Sequence, residues 1–252
     1  MARRLSSLIV LVLLSAPRLA LAQAAEAAHP WTYEGAKGPR HWGDLKPEYA
    51  ACKTGKHQSP IDIRDAKAAD LPAIEFFYSA QPFRIIDNGH SVQVNVDPGS
   101  FISVNGRRFD LNQFHFHHPS EEKVQGHSFP LVAHLVHRDA DAKLAVVAVL
   151  FKAGSANPFL EALWKNLPTD VGQEHTPTGM LVDLNRLLPS DRGYYTFTGS
   201  LTTPPCSEDV TWFVLKQPVE ISKPEESAFA KRYAHNARPV QPLNGRSVLM
   251  SR

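Results

Sequence analysis

His115 and His117 stand either side of Phe116 in the run Gln113-Phe114-His115-Phe116-His117. Successive side chains of a β-strand point to opposite faces. On a strand, both imidazoles and Gln113 therefore share one face, and Phe114 and Phe116 share the other. Two imidazoles about 6.5–7 Å apart along a strand can chelate one metal ion. A third imidazole from a neighbouring strand would complete a triad, and His134 and His137 are the candidates. They lie three apart, so only one of them can reach the ligand face. Three imidazoles with an open fourth position are the catalytic arrangement of zinc. Neutral ligands leave the ion its full charge, which strongly acidifies a bound water. A chance polar strand face is the plainer account of a lone His-x-His, and the histidines downstream weigh against it. Glu121 and Glu122 taken alone read as solvated surface charges, and His90 as an exposed turn histidine.

The elements that must position these residues read mainly as strands. Segments 83–86 and 91–96 flank Asp87-Asn88-Gly89-His90, a turn sequence. Segments 101–104 and 107–111 flank Asn105-Gly106, a strong hairpin signal. Strand patterns follow at 113–117, 131–137 and 211–215, and 144–151 is apolar enough for a central strand buried on both faces. Helical signals are few. Asn157 with Pro158 can start a helix to about 167, and Ser222-Lys223-Pro224-Glu225 resembles a capping box before 228–234. A large sheet with short peripheral helices, a mainly β (α+β) class, fits better than alternating βα units.

The chain has 252 residues, of which 43% are hydrophobic and 21% charged, values of a folded globular protein. Arg3 and Arg4, the apolar run 5–14 and Ala20-Leu21-Ala22 form a secretory signal with a cleavage motif, expected to be removed as residues 1–22. An uncleaved anchor is the alternative, but the apolar run is too short to span a bilayer. Residues 23–30 read as a flexible Ala-rich spacer and 31–252 as one catalytic domain. Losing Arg3, Arg4 and Arg18 takes the 27 basic residues to 24 against 25 acids, a net charge of −1, so no nucleic-acid partner is expected. No later segment can span a membrane. The two cysteines, Cys52 and Cys206, are expected to pair in an exported protein, with two free thiols as the alternative.

The Gln113–His117 run with His134-Leu135-Val136-His137 resembles the zinc site of α-class carbonic anhydrases. Gln58-Ser59-Pro60-Ile61-Asp62-Ile63, Asn88-Gly89-His90, the 199–205 run Gly-Ser-Leu-Thr-Thr-Pro-Pro, Val210-Thr211-Trp212 and the 238–244 run Arg-Pro-Val-Gln-Pro-Leu-Asn resemble further segments of that family, in order, over about residues 31–246. The leader, the cysteine pair and His117-His118-Pro119-Ser120-Glu121 resemble its bacterial periplasmic members. A cupin motif is a looser match, with too long a spacing from Gly106 to His115 and no Pro-x-Gly before His134.

The resemblance implies a single, mostly antiparallel twisted sheet with zinc at the base of a cleft. The activity implied is reversible hydration of CO₂ to bicarbonate and a proton through zinc-bound hydroxide. A pKa near 7 for the bound water is the value known for that family. The ligands implied are His115, His117 and His134, with Gln113 orienting His115. Thr202 would pass a hydrogen bond to Glu121 and, with Thr203, line the substrate position. Val136, Val146, Leu201 and Trp212 would form an apolar pocket for an uncharged linear substrate. His90 would export the proton, with Tyr33 and Asn88 ordering the water between. Cis bonds are implied at Ser59-Pro60 and Pro204-Pro205. One departure stands out: the family usually has a glutamate two residues before the third ligand, and here that residue is Val132. Glu122 is the expected substitute acceptor for His134, reaching in from the opposite strand. A water on His134 is the competing account. A carbonic-anhydrase-like binding protein without turnover is the alternative function, although such relatives usually lack a zinc histidine. Small-molecule substrate, periplasmic location and a monomer or dimer complete the expectations.

Overall fold

The computed structural model describes residues 30–252. The expected leader, its cleavage site and the spacer through residue 29 lie outside the described residues. The sheet grows by hairpins from the turn sequences. Strands β1 (Asp62–Ile63), β2 (Lys67–Ala69) and β3 (Ile74–Phe77) precede the hairpin β4 (Phe83–Asp87) and β5 (Val92–Val96). Next come β6 (Phe101–Val104) and the long β7 (Arg107–His117). Asn105 and Gly106 between them have φ of 51° and 77°, the double left-handed conformation of a tight hairpin turn. The two separate segments expected at 107–111 and 113–117 are thus one strand, kinked by a register shift between Leu111 and Gln113.

After β8 (Lys123–Val124) come β9 (Leu131–Arg138) and β10 (Leu144–Ala153), then β11 (Glu174–His175), β12 (Tyr194–Ser200), β13 (Glu208–Leu215), β14 (Val219–Ile221) and β15 (Leu249–Ser251). Among the described residues, the main sheet runs β11-β4-β5-β7-β9-β10-β13-β12-β15-β2. Most neighbours are antiparallel; β10 pairs in parallel with β13 and β14, and β15 with β2. The large, mostly antiparallel sheet with short peripheral helices is the class read from the sequence.

Period-2 alternation sorts side chains between two cores. Leu131, Ala133 and Leu135 of β9, Val147 and Val149 of β10, and Phe114 and Phe116 of β7 pack into the larger cluster. Val132, Val146, Ala148, Leu150 and Trp212 pack into the second, on the opposite face. Strand β10 is therefore buried on both faces, as its unbroken apolar run predicts. A helix spans Pro158–Trp164, capped by Asn157, whose side chain accepts from the N–H of Phe159 and Leu160. It stops at Trp164 rather than reaching 167. The capping box on Ser222 opens a helix at Lys223–Ala230, earlier than 228–234, because the box itself sets the start. No described helix is long and apolar enough to cross a membrane.

Candidate metal centre

Strands β7 and β9 run antiparallel with His115 directly opposite His134, and His117 opposite Val132. Alternation brings His115, His117 and His134 onto one face. One ligand nitrogen from each lies within 4.8 Å of the other two. His137 falls on the other face, where its Nε2 and the Tyr78 hydroxyl are hydrogen-bonded at 2.8 Å.

Each of the three imidazoles has its second nitrogen committed. His115 Nδ1 donates to Gln113 Oε1 at 2.9 Å. His117 Nδ1 donates to the Asn236 carbonyl at 2.7 Å. His134 Nε2 donates to both oxygens of Glu122, each at 3.1 Å. These bonds set the tautomers and leave Nε2, Nε2 and Nδ1 as lone-pair donors. His117 Nε2 is buried without a hydrogen-bond partner. That orphaned donor, the three converging nitrogens and the two buried carboxylates of Glu121 and Glu122 fit a divalent cation. Burial holds His115 down at about 3, and burial with the facing His134 lowers His117 well below its usual range. Both are therefore neutral and available as ligands.

Glu122 comes from the loop after β7, not from an opposite strand as expected. Its carboxylate is the acceptor for His134 Nε2, whereas the Val132 side chain lies in the apolar cluster of the site face. Glu121 beside it is fully enclosed. Its Oε1 accepts from the Arg238 N–H at 2.7 Å, and its Oε2 lies 3.5 Å from His117 Nε2 and 3.8 Å from His134 Nδ1. Burial raises Glu121 to about 7, helped by the charge of Glu122 and opposed by His134 and the Arg238 N–H. The Thr202 hydroxyl also opposes the rise, and Oε2 has no hydrogen-bond partner.

A cavity of about 200 Å³ opens beside the triad and is lined by His115 and His134. Gln113, His115 and His134 line its base, Val136, Val146, Leu201 and Trp212 its apolar wall, and Thr202 and Thr203 its remaining side. The loop with the threonines is braced. Ser59 and Ser200 exchange hydrogen bonds, Ser59 N–H to Ser200 Oγ at 2.8 Å and Ser200 N–H to Ser59 Oγ at 3.1 Å. Gly199 permits this approach, because a Cβ there would lie 2.2 Å from Ser59 Oγ. Cys52 and Cys206 form a disulfide. The Ser59-Pro60 and Pro204-Pro205 bonds are cis, as is His118-Pro119, which the sequence reading did not anticipate.

His90, Asn88 and Tyr33 do not line this cavity. The His90 ring stacks on Trp31, with centroids 3.6 Å apart. Asn88 Oδ1 accepts from the N–H of His90 and Ser91 at 3.0 and 2.8 Å, so Asn88 builds the turn that carries His90. Tyr33 lies 6.5 Å from His90 ring to ring. Burial, then the charge of Glu121, keeps its phenol protonated. Two residues given no site role in the sequence reading belong to the site's frame. Asn236 supplies the carbonyl for His117, and Arg238 supplies the N–H for Glu121. Both act through main-chain atoms from far along the chain, for which side-chain type gives no signal.

The comparisons agree with this geometry. The family model described as eukaryotic-type carbonic anhydrase matches residues 37–252. The chain belongs to the carbonic anhydrase family. A carbonic anhydrase of Pectobacterium carotovorum is 45% identical over 232 residues, covering 90% of this chain and 93% of that one. One from Neisseria gonorrhoeae is 40% identical, with 98% of each chain covered. The solved structure of the α-carbonic anhydrase from Thermovibrio ammonificans with the inhibitor sulfanilamide superposes with a TM-score of 0.84 at 47% identity, covering 87% of this chain and 98% of that one. The cupin alternative is thereby set aside. As a carbonic anhydrase family member, the chain is an enzyme of a class whose norm is zinc dependence, acting on a small-molecule substrate.

Proposed function

We propose that this chain catalyses the reversible hydration of CO₂ to bicarbonate and a proton at a zinc ion held by His115, His117 and His134. The observation that carries the reading is the convergence of three tautomer-fixed imidazoles, two of which line a cavity with an apolar wall. Zinc, when bound, supplies a Lewis acid that brings the pKa of its water to about 7, the value known for carbonic anhydrases.

The protein's own groups do the rest. Glu121, pinned by the Arg238 N–H, keeps Oε2 open to accept the Thr202 hydroxyl proton. With its proton so directed, the Thr202 oxygen accepts from the attacking water and aims a lone pair at the substrate carbon, a positioning effect. The Thr202 N–H and Thr203 receive the oxygens of CO₂ and of the product. Val136, Val146, Leu201 and Trp212 exclude water from an uncharged linear substrate. Glu122 holds the ring of His134 in the absence of an acceptor at Val132. His90 carries the released proton outward, with Tyr33 and Asn88 beside its path. The leader, with the Cys52–Cys206 disulfide, supports export to the periplasm.

Stopped-flow CO₂ hydration by the zinc-loaded mature chain, with and without an aromatic sulfonamide, tests this. Rapid turnover blocked by the sulfonamide is expected. Hydration at the uncatalysed rate with zinc stoichiometrically bound would overturn it.

A further inference from the structure

A side chain that exports protons depends on its distance from the metal centre. The 87–91 turn that carries His90 closes on its own. Asn88 N–H donates to the Ser91 carbonyl at 3.1 Å, and Asn88 Oδ1 accepts from His90 and Ser91. Its trailing end is tied to β7, where Ser91 Oγ donates to the Phe116 carbonyl. Two side chains link this turn to residues 232–236, Asp87 at its start and Asn236 across from it.

Asp87, 4% exposed, is the first. Its Oδ1 accepts from the Gly89 N–H at 3.1 Å and from the Tyr233 hydroxyl, and its Oδ2 accepts from Arg232 Nη1 at 2.9 Å. Asn236, 1% exposed, is the second. Its Nδ2 donates to the carbonyls of His90 and Phe116, both at 3.0 Å, and its Oδ1 accepts from the His118 N–H at 2.8 Å. Its own carbonyl takes the Nδ1 proton of His117. One residue thus holds the main chain of His90, the strand end on either side of His117, and the His117 ring.

We propose that Asn236 and Asp87 are positioning residues that fix the His90 turn to the metal centre through residues 232–236. This rests on the reading of His90 as the proton exporter. A buried amide with every polar atom engaged has no freedom to let turn and ligand strand move apart. The Asp87 arm reaches the same chain segment from the far side of the turn. Placement of the exporter is thereby coupled to placement of a ligand.

The test separates kcat from kcat/KM for CO₂ hydration by the zinc-loaded chain. The ratio kcat/KM reports steps through hydration, whereas kcat also contains proton export. Asn236→Ala keeps the main-chain carbonyl that orients His117. It should lower kcat about 10–100-fold, since a displacement of about 1 Å in a reacting group can cost 100-fold. The value of kcat should fall by more than kcat/KM, and imidazole added to the buffer should restore kcat. Asp87→Asn, whose side chain bonds no ligand histidine, should lower kcat less and leave kcat/KM and zinc content unchanged. In a His90→Ala background, Asn236→Ala should lower kcat no further.

Equal loss of kcat and kcat/KM in Asn236→Ala, loss of zinc in Asp87→Asn, or multiplying effects in the double variant would overturn the proposal. If Asn236→Ala does not fold, Asp87→Asn decides, and an unchanged kcat there overturns it. A lowered kcat in His90→Ala with unchanged kcat in the other two would overturn the clamp alone. An unchanged kcat in His90→Ala would overturn the exporter reading and the clamp with it.

Discussion

Strand β9 carries two histidines three residues apart, both buried and both hydrogen-bonded, with opposite fates. His134 faces Glu122 at 3.1 Å and has Glu121 beside it. Burial opposes its charged form, but the two carboxylates outweigh burial and raise its pKa. His137 faces the neutral Tyr78 hydroxyl on the larger core's side, and burial pushes it down to about 4. Residue type and burial are the same, so the partner decides the chemistry. An anionic acceptor makes an imidazole a firmly oriented, electron-rich ligand, and a neutral partner leaves it a polar core residue.

The comparison breaks most visibly at His134. His134→Ala removes one of three donors, and zinc retention after dialysis and CO₂ hydration should both fall to background. His137→Ala should leave zinc bound. If it strips the metal instead, the division between the two faces is wrong.

The next largest effect belongs to the acceptor. Glu122→Gln keeps the shape but replaces the carboxylate, and zinc affinity should fall about 10–100-fold, the usual cost of losing such a partner. Adding Val132→Glu to that variant should recover zinc, measured as the rate of transfer to a chelator. Unchanged zinc loss in Glu122→Gln would mean that His134 does not depend on this carboxylate.

On the core side, Tyr78→Phe should cost about 1–3 kcal/mol by leaving His137 Nε2 unpaired in denaturant unfolding, with zinc affinity unmoved. The last effect is one of pH. The folded state keeps His137 neutral down to about pH 4, whereas the unfolded chain takes up the proton near 6.5. The unfolded state then binds more protons between those values, so stability falls as pH drops through that window and levels off below it. The contribution is at most about 3 kcal/mol at 1.36 kcal/mol per unit of pKa. His137→Phe should flatten that part of the profile relative to the parent chain, and an equal slope in both would exclude the assignment.

The site was legible in sequence wherever its logic is local. His115, His117 and Gln113 share a face because strand periodicity is two, and the same rule admitted only one of His134 and His137. The cap at Asn157 placed one helix start, whereas the capping box at Ser222 was legible but the helix after it was expected only from 228. Family resemblance then chose His134 and named Thr202, Thr203 and the apolar wall, all of which the fold brings to one cavity. What could not be read was of another kind. Glu122 comes from a loop rather than a strand. Strand β12 was missed because Tyr194-Tyr195-Thr196-Phe197-Thr198-Gly199-Ser200 offers no clean alternation. Asn236 and Arg238 bond through main-chain atoms more than a hundred residues away from their partners.

By itself, then, the sequence determined the ligand types, their shared face and the hairpins that carry them, because these follow from short-range geometry. Only the tertiary structure decided that His115 stands opposite His134, that Glu122 supplies the acceptor absent at Val132, and that residues 232–236 join the His90 turn to the His117 ring. Those outcomes depend on strand register and long-range closure. They are set by the packing of two cores against one sheet, which no local window of sequence contains.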